Sequence, residues 1–137
     1  MRATRRIFLL SVAAIPFAEA AASEPARAAA EGVLRGRAAE EGGIEITAPR
    51  VAENGQQVPV TIRVPDGDAR AIHLIATANP TPGVATFRFH PGIARAEVQT
   101  RVRLAEAQRL LVYAELADGR VRWAAVEIGV TSGGCLS

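Results

Sequence analysis

The sequence is short of the residues that most catalytic and metal sites need. Its 137 residues include 1 Cys, which excludes an internal disulfide and any multi-cysteine zinc or iron–sulfur site. All 16 basic residues are Arg, so lysine-based Schiff-base and P-loop chemistry are excluded. The 2 His have neither the close paired spacing of metal ligands nor a carboxylate cluster nearby. No paired carboxylates or phosphate-binding loop stand out. What remains is ordinary for a folded chain. With 49% hydrophobic and 22% charged residues, wholesale disorder is excluded, and the length allows one domain.

The formal net charge of +2 overstates the basic character. Arg2, Arg5 and Arg6 precede an apolar run from Ile7 to Phe17, and small residues follow in Ala18-Glu19-Ala20 and Ala20-Ala21-Ala22. A cationic start, a short apolar run and small-residue cleavage sites form the three parts of a secretory signal. The run is far shorter than the roughly 20 residues a helix needs to span a bilayer, so no membrane anchor is expected. Thr4-Arg5-Arg6-Ile7-Phe8-Leu9 also resembles a twin-arginine export signal, the route for already folded proteins. Residues 1–22 are therefore expected to be removed and the rest to reside in the periplasm. Without them, 13 Arg face 13 acidic residues, and this neutrality speaks against nucleic-acid binding.

The stretch from Ser23 to Glu41 is rich in Ala, Glu and Arg. Ser23 or Glu24 with Pro25 marks a helix start, and Gly42-Gly43 marks its stop. Ala26, Ala30, Val33 and Leu34 form a weakly apolar stripe, interrupted by Gly32 and Gly36, so residues 23–43 read as a short helical segment packed on the main domain. From Ile44 onward the period becomes two. Val58, Val60, Ile62 and Val64 share one face; Ala96, Val98, Thr100, Val102 and Leu104 alternate with Glu97, Gln99, Arg101 and Arg103. Turn signals at Asn54-Gly55, Pro65-Asp66-Gly67, Asn79-Pro80, Pro91-Gly92 and Asp118-Gly119 separate the runs. The reading is an all-β chain of about seven antiparallel strands near 44–48, 57–64, 71–77, 84–90, 95–104, 108–117 and 120–131, an immunoglobulin-like sandwich over residues 44–131. In the last strand, Val121, Trp123 and Ala125 have one parity and Val126, Ile128 and Val130 the other, so a β-bulge is expected near Ala124 and Ala125.

His73 lies in an apolar strand and reads as a satisfied core or edge histidine. His90 precedes Pro91 at a strand end. The tail, residues 132–137, differs in kind. Cys135 follows Gly133 and Gly134 and stands third from the end. Two glycines give the backbone little conformational preference. The steps from Thr131 to Cys135 reach at most ~14 Å at ~3.5 Å each. A thiolate on such an arm can attack an oxidised sulfur, hold it, and be regenerated. The other reading of these residues is a frayed tail with an incidental Cys.

The end Val130-Thr131-Ser132-Gly133-Gly134-Cys135 resembles the C-terminus of SoxY, the sulfur-carrier protein of periplasmic thiosulfate oxidation. Asn54-Gly55-Gln56-Gln57-Val58-Pro59-Val60, Ala71-Ile72-His73-Leu74, Asn79-Pro80, Val84-Ala85-Thr86-Phe87 and Arg101-Val102-Arg103-Leu104-Ala105-Glu106 are also similar to that family. The resemblance implies a carrier rather than an enzyme, paired with a SoxZ-like subunit in a heterodimer. It implies that SoxAX-like, SoxB-like and sulfur-dehydrogenase-like enzymes load and process the cargo. It places covalent sulfur or thiosulfate-derived intermediates on Cys135, with Gly133 and Gly134 as the arm and no resident cofactor or metal. The family tail usually ends Gly-Gly-Cys-Gly-Gly. Here Leu136 and Ser137 follow the cysteine, which opens the reading of a paralogue with another sulfur cargo. An exported immunoglobulin-like binding module is the alternative outside this class. A stand-alone thiol oxidoreductase is a third, which lacks a resolving Cys and an evident base.

Overall fold

The computed structural model describes residues 23–65, 68–92 and 95–131. Among the described residues one helix, α1 (Glu24–Leu34), precedes nine strands. These are β1 (Ala39–Glu41), β2 (Glu45–Thr47), β3 (Val51–Ala52), β4 (Val58–Val64), β5 (Ala69–Ala76), β6 (Gly83–Arg88), β7 (Ala96–Val102), β8 (Gln108–Leu116) and β9 (Val121–Val130). The larger sheet runs β1-β9-β8-β5-β6, with β3 also paired to β9, and the smaller runs β2-β4-β7.

Alternation makes the sandwich. Val58, Val60, Ile62 and Val64 of β4 turn one buried row toward Ile72, Leu74 and Ala76 of β5 and Leu110, Val112 and Ala114 of β8. Removing such side chains from water contributes about 1.5–3 kcal/mol each, which sets the register of both sheets. The result is an immunoglobulin-like β-sandwich, as the period-two pattern predicts. The Asp118-Gly119 hairpin also forms: the Asp118 carboxylate accepts from the Arg120 backbone N–H at 3.0 Å, and Gly119 takes φ +93°, which a side chain would strain.

The outer face of the larger sheet is covered by α1. Ala26, Ala29, Ala30, Val33 and Leu34 pack on Ile75, Leu111, Tyr113, Val121 and Trp123. This makes three layers and removes the need for a bulge in β9. Pairing with β8 is continuous from Gln108↔Ile128 to Glu115↔Val121. Val121 and Trp123 face the helix, while Val126, Ile128 and Val130 face the sandwich core. The change in buried parity reflects a change in which face is covered. The register shifts lie instead in β5, between Ala69 and Ala71 against β8 and between Leu74 and Ile75 against β6.

The helix also ends sooner than the Gly42-Gly43 stop implies. Ser23 caps it, its hydroxyl accepting from the Ala26 N–H at 3.3 Å, with Pro25 in the first turn. At the other end Arg35 and Gly36 enter the left-handed region (φ 49° and 82°) and close it after Leu34. Residues 39–41 then pair parallel with β9. Gly42 and Gly43, at φ 108° and 77°, carry the chain from β1 toward the smaller sheet.

Candidate functional site

Cys135, Gly133 and Gly134 lie outside the described residues. The structure does describe the platform from which their segment departs. The last strand, β9, is held at its end by β3: Val51 and Ala52 pair in parallel with Gly129 and Val130. The Gly129 N–H donates to Arg50 O at 2.7 Å, and the Thr131 N–H to Ala52 O at 3.1 Å. The Thr131 hydroxyl reaches Glu53 O at 3.5 Å. Next comes the Asn54-Gly55 turn, where the Asn54 side chain accepts from the Gln56 N–H at 2.9 Å. Gly55 is pressed between two neighbours: an added Cβ would stand 2.6 Å from Leu104 O and 3.0 Å from Val130 Cγ1. The Leu104 N–H donates to Gly55 O at 2.7 Å.

A second lock lies beside this one. The Asn79 amide donates to Arg103 O at 2.7 Å and accepts from the Ala105 N–H at 2.9 Å. It also accepts from Gln108, whose own side-chain oxygen takes the Ala78 N–H at 2.8 Å. The Ser23 hydroxyl donates to Thr77 O at 3.0 Å, bringing the start of α1 to the same end. Three motifs separated in sequence, around Gly55, Asn79 and Leu104, thus converge at the point where β9 ends. In the sequence each is a turn or a family-like stretch, with nothing to show that they meet.

His73 does not belong to this end. It is 8% exposed on the outer face of β5, with Nδ1 3.0 Å from the Thr86 hydroxyl and Nε2 2.6 Å from Glu115 Oε2. Arg37 donates to the other Glu115 oxygen at 3.0 Å and to the Val33 and Leu34 carbonyls that end α1. Burial pushes the Glu115 carboxyl up, but hydrogen bonds and charge from His73 and Arg37 outweigh it and hold it below its ordinary value of 4.5. The network is a polar clasp between helix and sheet, consistent with a satisfied histidine. His73 is out of range as a base for Cys135. It lies level with Tyr113 and Trp123 across the sheet, and β9 from Trp123 to Thr131 is about 26 Å long at ~3.3 Å per residue. The ~14 Å of chain from Thr131 to Cys135 falls short of it.

The clasp carries a pH signature. Because Glu115 titrates below its unfolded value, its stabilising share is present above about pH 4.5 and is lost as pH falls through the lower folded value. Glu115→Gln, leaving Arg37 and His73 without their anion, lowers stability at pH 7 by about 1–3 kcal/mol. The gap from wild type narrows below pH 4 in denaturant titrations. A constant gap across that range would contradict the clasp.

Among the described residues no three His, Cys, Asp or Glu side chains gather as a metal site. No helix there is long and apolar enough to cross a membrane. The architecture defines an immunoglobulin-like sandwich module with its C-terminal segment rooted in a rigid, hydrogen-bonded end. A family model for the sulfur oxidation protein SoxY matches residues 30–135, a span that includes Gly133, Gly134 and Cys135. The chain belongs to the SoxY family. Among solved structures, the sulfur carrier protein SoxY from Chlorobium limicola f thiosulfatophilum is similar at 33% identity and TM-score 0.68, covering 77% of this chain and 94% of that one. Superoxide reductase (neelaredoxin) from Ignicoccus hospitalis matches at 22% identity and TM-score 0.57, over 66% of this chain and 81% of that one. A putative superoxide reductase from Thermotoga maritima matches at 14% and 0.57, over 70% and 89%. At those identities the two reductases share the fold alone. Comparison with curated proteins gives no match.

Proposed function

We propose that this chain is a periplasmic sulfur carrier, the cysteine-bearing half of a SoxYZ-type heterodimer. Cys135 holds thiosulfate-derived sulfur covalently, and SoxAX-like, SoxB-like and sulfur-dehydrogenase-like enzymes do the chemistry on it. The chain itself is a carrier, not a catalyst, and needs no resident cofactor or metal. The observation that carries the reading is the family match, which ends on Cys135. The rigid end around Gly55 and Asn79 supports it, because a fixed root lets a short arm present its thiol in a defined region. The twin-arginine-like start supports export as a folded chain, bringing along a partner that lacks its own signal.

The test is removal of residues 132–137. Thiosulfate oxidation by cells carrying the shortened chain is expected to cease, while the purified domain keeps its melting temperature, since Thr131 and the core remain. Full activity without the tail would favour the binding-module reading, in which a partner docks on a sheet edge, β6 and β7 being edge strands among the described residues.

A further inference from the structure

We propose that Arg101 and Arg103 form a docking site for the anionic end of a sulfur oxoanion, next to the root of the arm. The proposal rests on the carrier reading above. Both side chains are exposed and alternate with buried Val102 and Leu104, so they project together from the solvent side of the smaller sheet. That face is divided electrostatically. At its far end Arg63 is neutralised by Glu45 at 2.9 Å and stands opposite Glu97. At the end near the arm, Arg101 stands opposite Pro59 and Gln99 opposite Thr61. Arg101 and Arg103 make no ion pair among the described residues. Beside Arg101 is an open groove of about 500 Å³ lined by Pro59, Thr61, Gln99 and Thr100. Arg101 with the Thr61 hydroxyl and Gln99 amide at the groove, and Arg103 two residues along the same face, offer charged and neutral donors for the three acceptor oxygens of a sulfonate.

The placement is fixed rather than incidental. Arg103 O is held by Asn79, and the next residue is bonded to Gly55 at the root of the arm. The two carboxylates on the flanking turns, Glu53 and Glu106, are exposed, and they bound the positive patch without pairing to it. A reagent carrying sulfonate groups is drawn to this patch, and Cys135 is no more than ~14 Å of chain from Thr131 at the same end of the domain.

Tetrathionate is the probe. The Cys135 thiolate attacks one of its two inner sulfurs; the central S–S bond breaks, a new S–S bond forms to Cys135, and thiosulfate leaves with the electron pair. Iodoacetamide, which is neutral, reports the intrinsic reactivity of the same thiol. With the full chain at low salt, Arg101→Gln/Arg103→Gln is expected to load about tenfold more slowly with tetrathionate and to alkylate at the wild-type rate. The wild-type advantage should fade toward 1 M salt, where screening acts over ~3 Å. Equal tetrathionate rates in the two proteins, or an equal fall with both reagents, would overturn the site. Failure of the carrier reading looks different: Cys135 of the wild type would gain no sulfur in living cells, whatever its rate with tetrathionate.

Discussion

On the proposed carrier function, Cys135→Ser is expected to abolish sulfur loading. Only a thiolate can attack an oxidised sulfur and keep it through an S–S bond; a serine hydroxyl is protonated at neutral pH and forms no such bond. With 1 Cys in the chain, no second thiol can substitute. Thiosulfate oxidation by cells carrying the variant is therefore expected to drop to background. The melting temperature is expected to stay at the wild-type value, because the core among the described residues is assembled from side chains up to Val130. Measuring both in the same protein separates loss of the carrier group from loss of the fold. Normal oxidation by the serine variant would mean that the tail is incidental.

Gly55→Ala has the second large effect, and it acts through the root of the arm. The new methyl would meet Leu104 O at 2.6 Å, and a backbone oxygen cannot rotate aside. The Asn54-Gly55 turn must lift from Leu104 and Val130, at a cost of about 1–3 kcal/mol typical of overpacking. The melting temperature falls by about 4–12 °C, and protection of the Thr131 N–H, bonded to Ala52 O, falls with it. Gly32→Ala is the control. Nothing lies within 4 Å of a Cβ there, and replacing a helical glycine by alanine stabilises by up to about 1 kcal/mol. If Gly55→Ala melted with the wild type, the close packing at the root would be refuted.

How much of this was legible in the sequence depended on periodicity. All seven expected strands are present; the signal is plainest in β4 and β7, where one buried row alternates with outward residues and leaves a period of two. β1 and β3 were not read. Neither Ala39–Glu41 nor Val51–Ala52 carries an apolar alternation of its own, and both exist through parallel pairing to β9, a long-range contact. The bulge expected near Ala124 and the helix expected to reach Glu41 failed for related reasons. The parity of β9 depends on α1 covering the other face of its sheet, and the left-handed turn at Arg35 needs an arginine conformation that composition does not reveal.

The site was legible in part. The tail stood out by composition, since a lone cysteine after two glycines is unusual. The convergence of Gly55, Asn79 and Leu104 on the end of β9 was hidden, as the pairing of loops from different strands has no local signal. The His73–Glu115–Arg37 clasp was hidden for the same reason: its members come from β5, β8 and the loop after α1. A strand arginine reads as a solvated residue until its neighbours are known; Arg63 has a carboxylate beside it, whereas Arg101 has a groove.

The most direct measurement is mass spectrometry of the C-terminal peptide of the protein purified from cells oxidising thiosulfate and kept from reductants. A sulfur carrier shows Cys135 bearing added sulfur and sulfonate, removable by a thiol reductant and absent when thiosulfate is withheld. A peptide found only as free thiol throughout turnover would contradict the account.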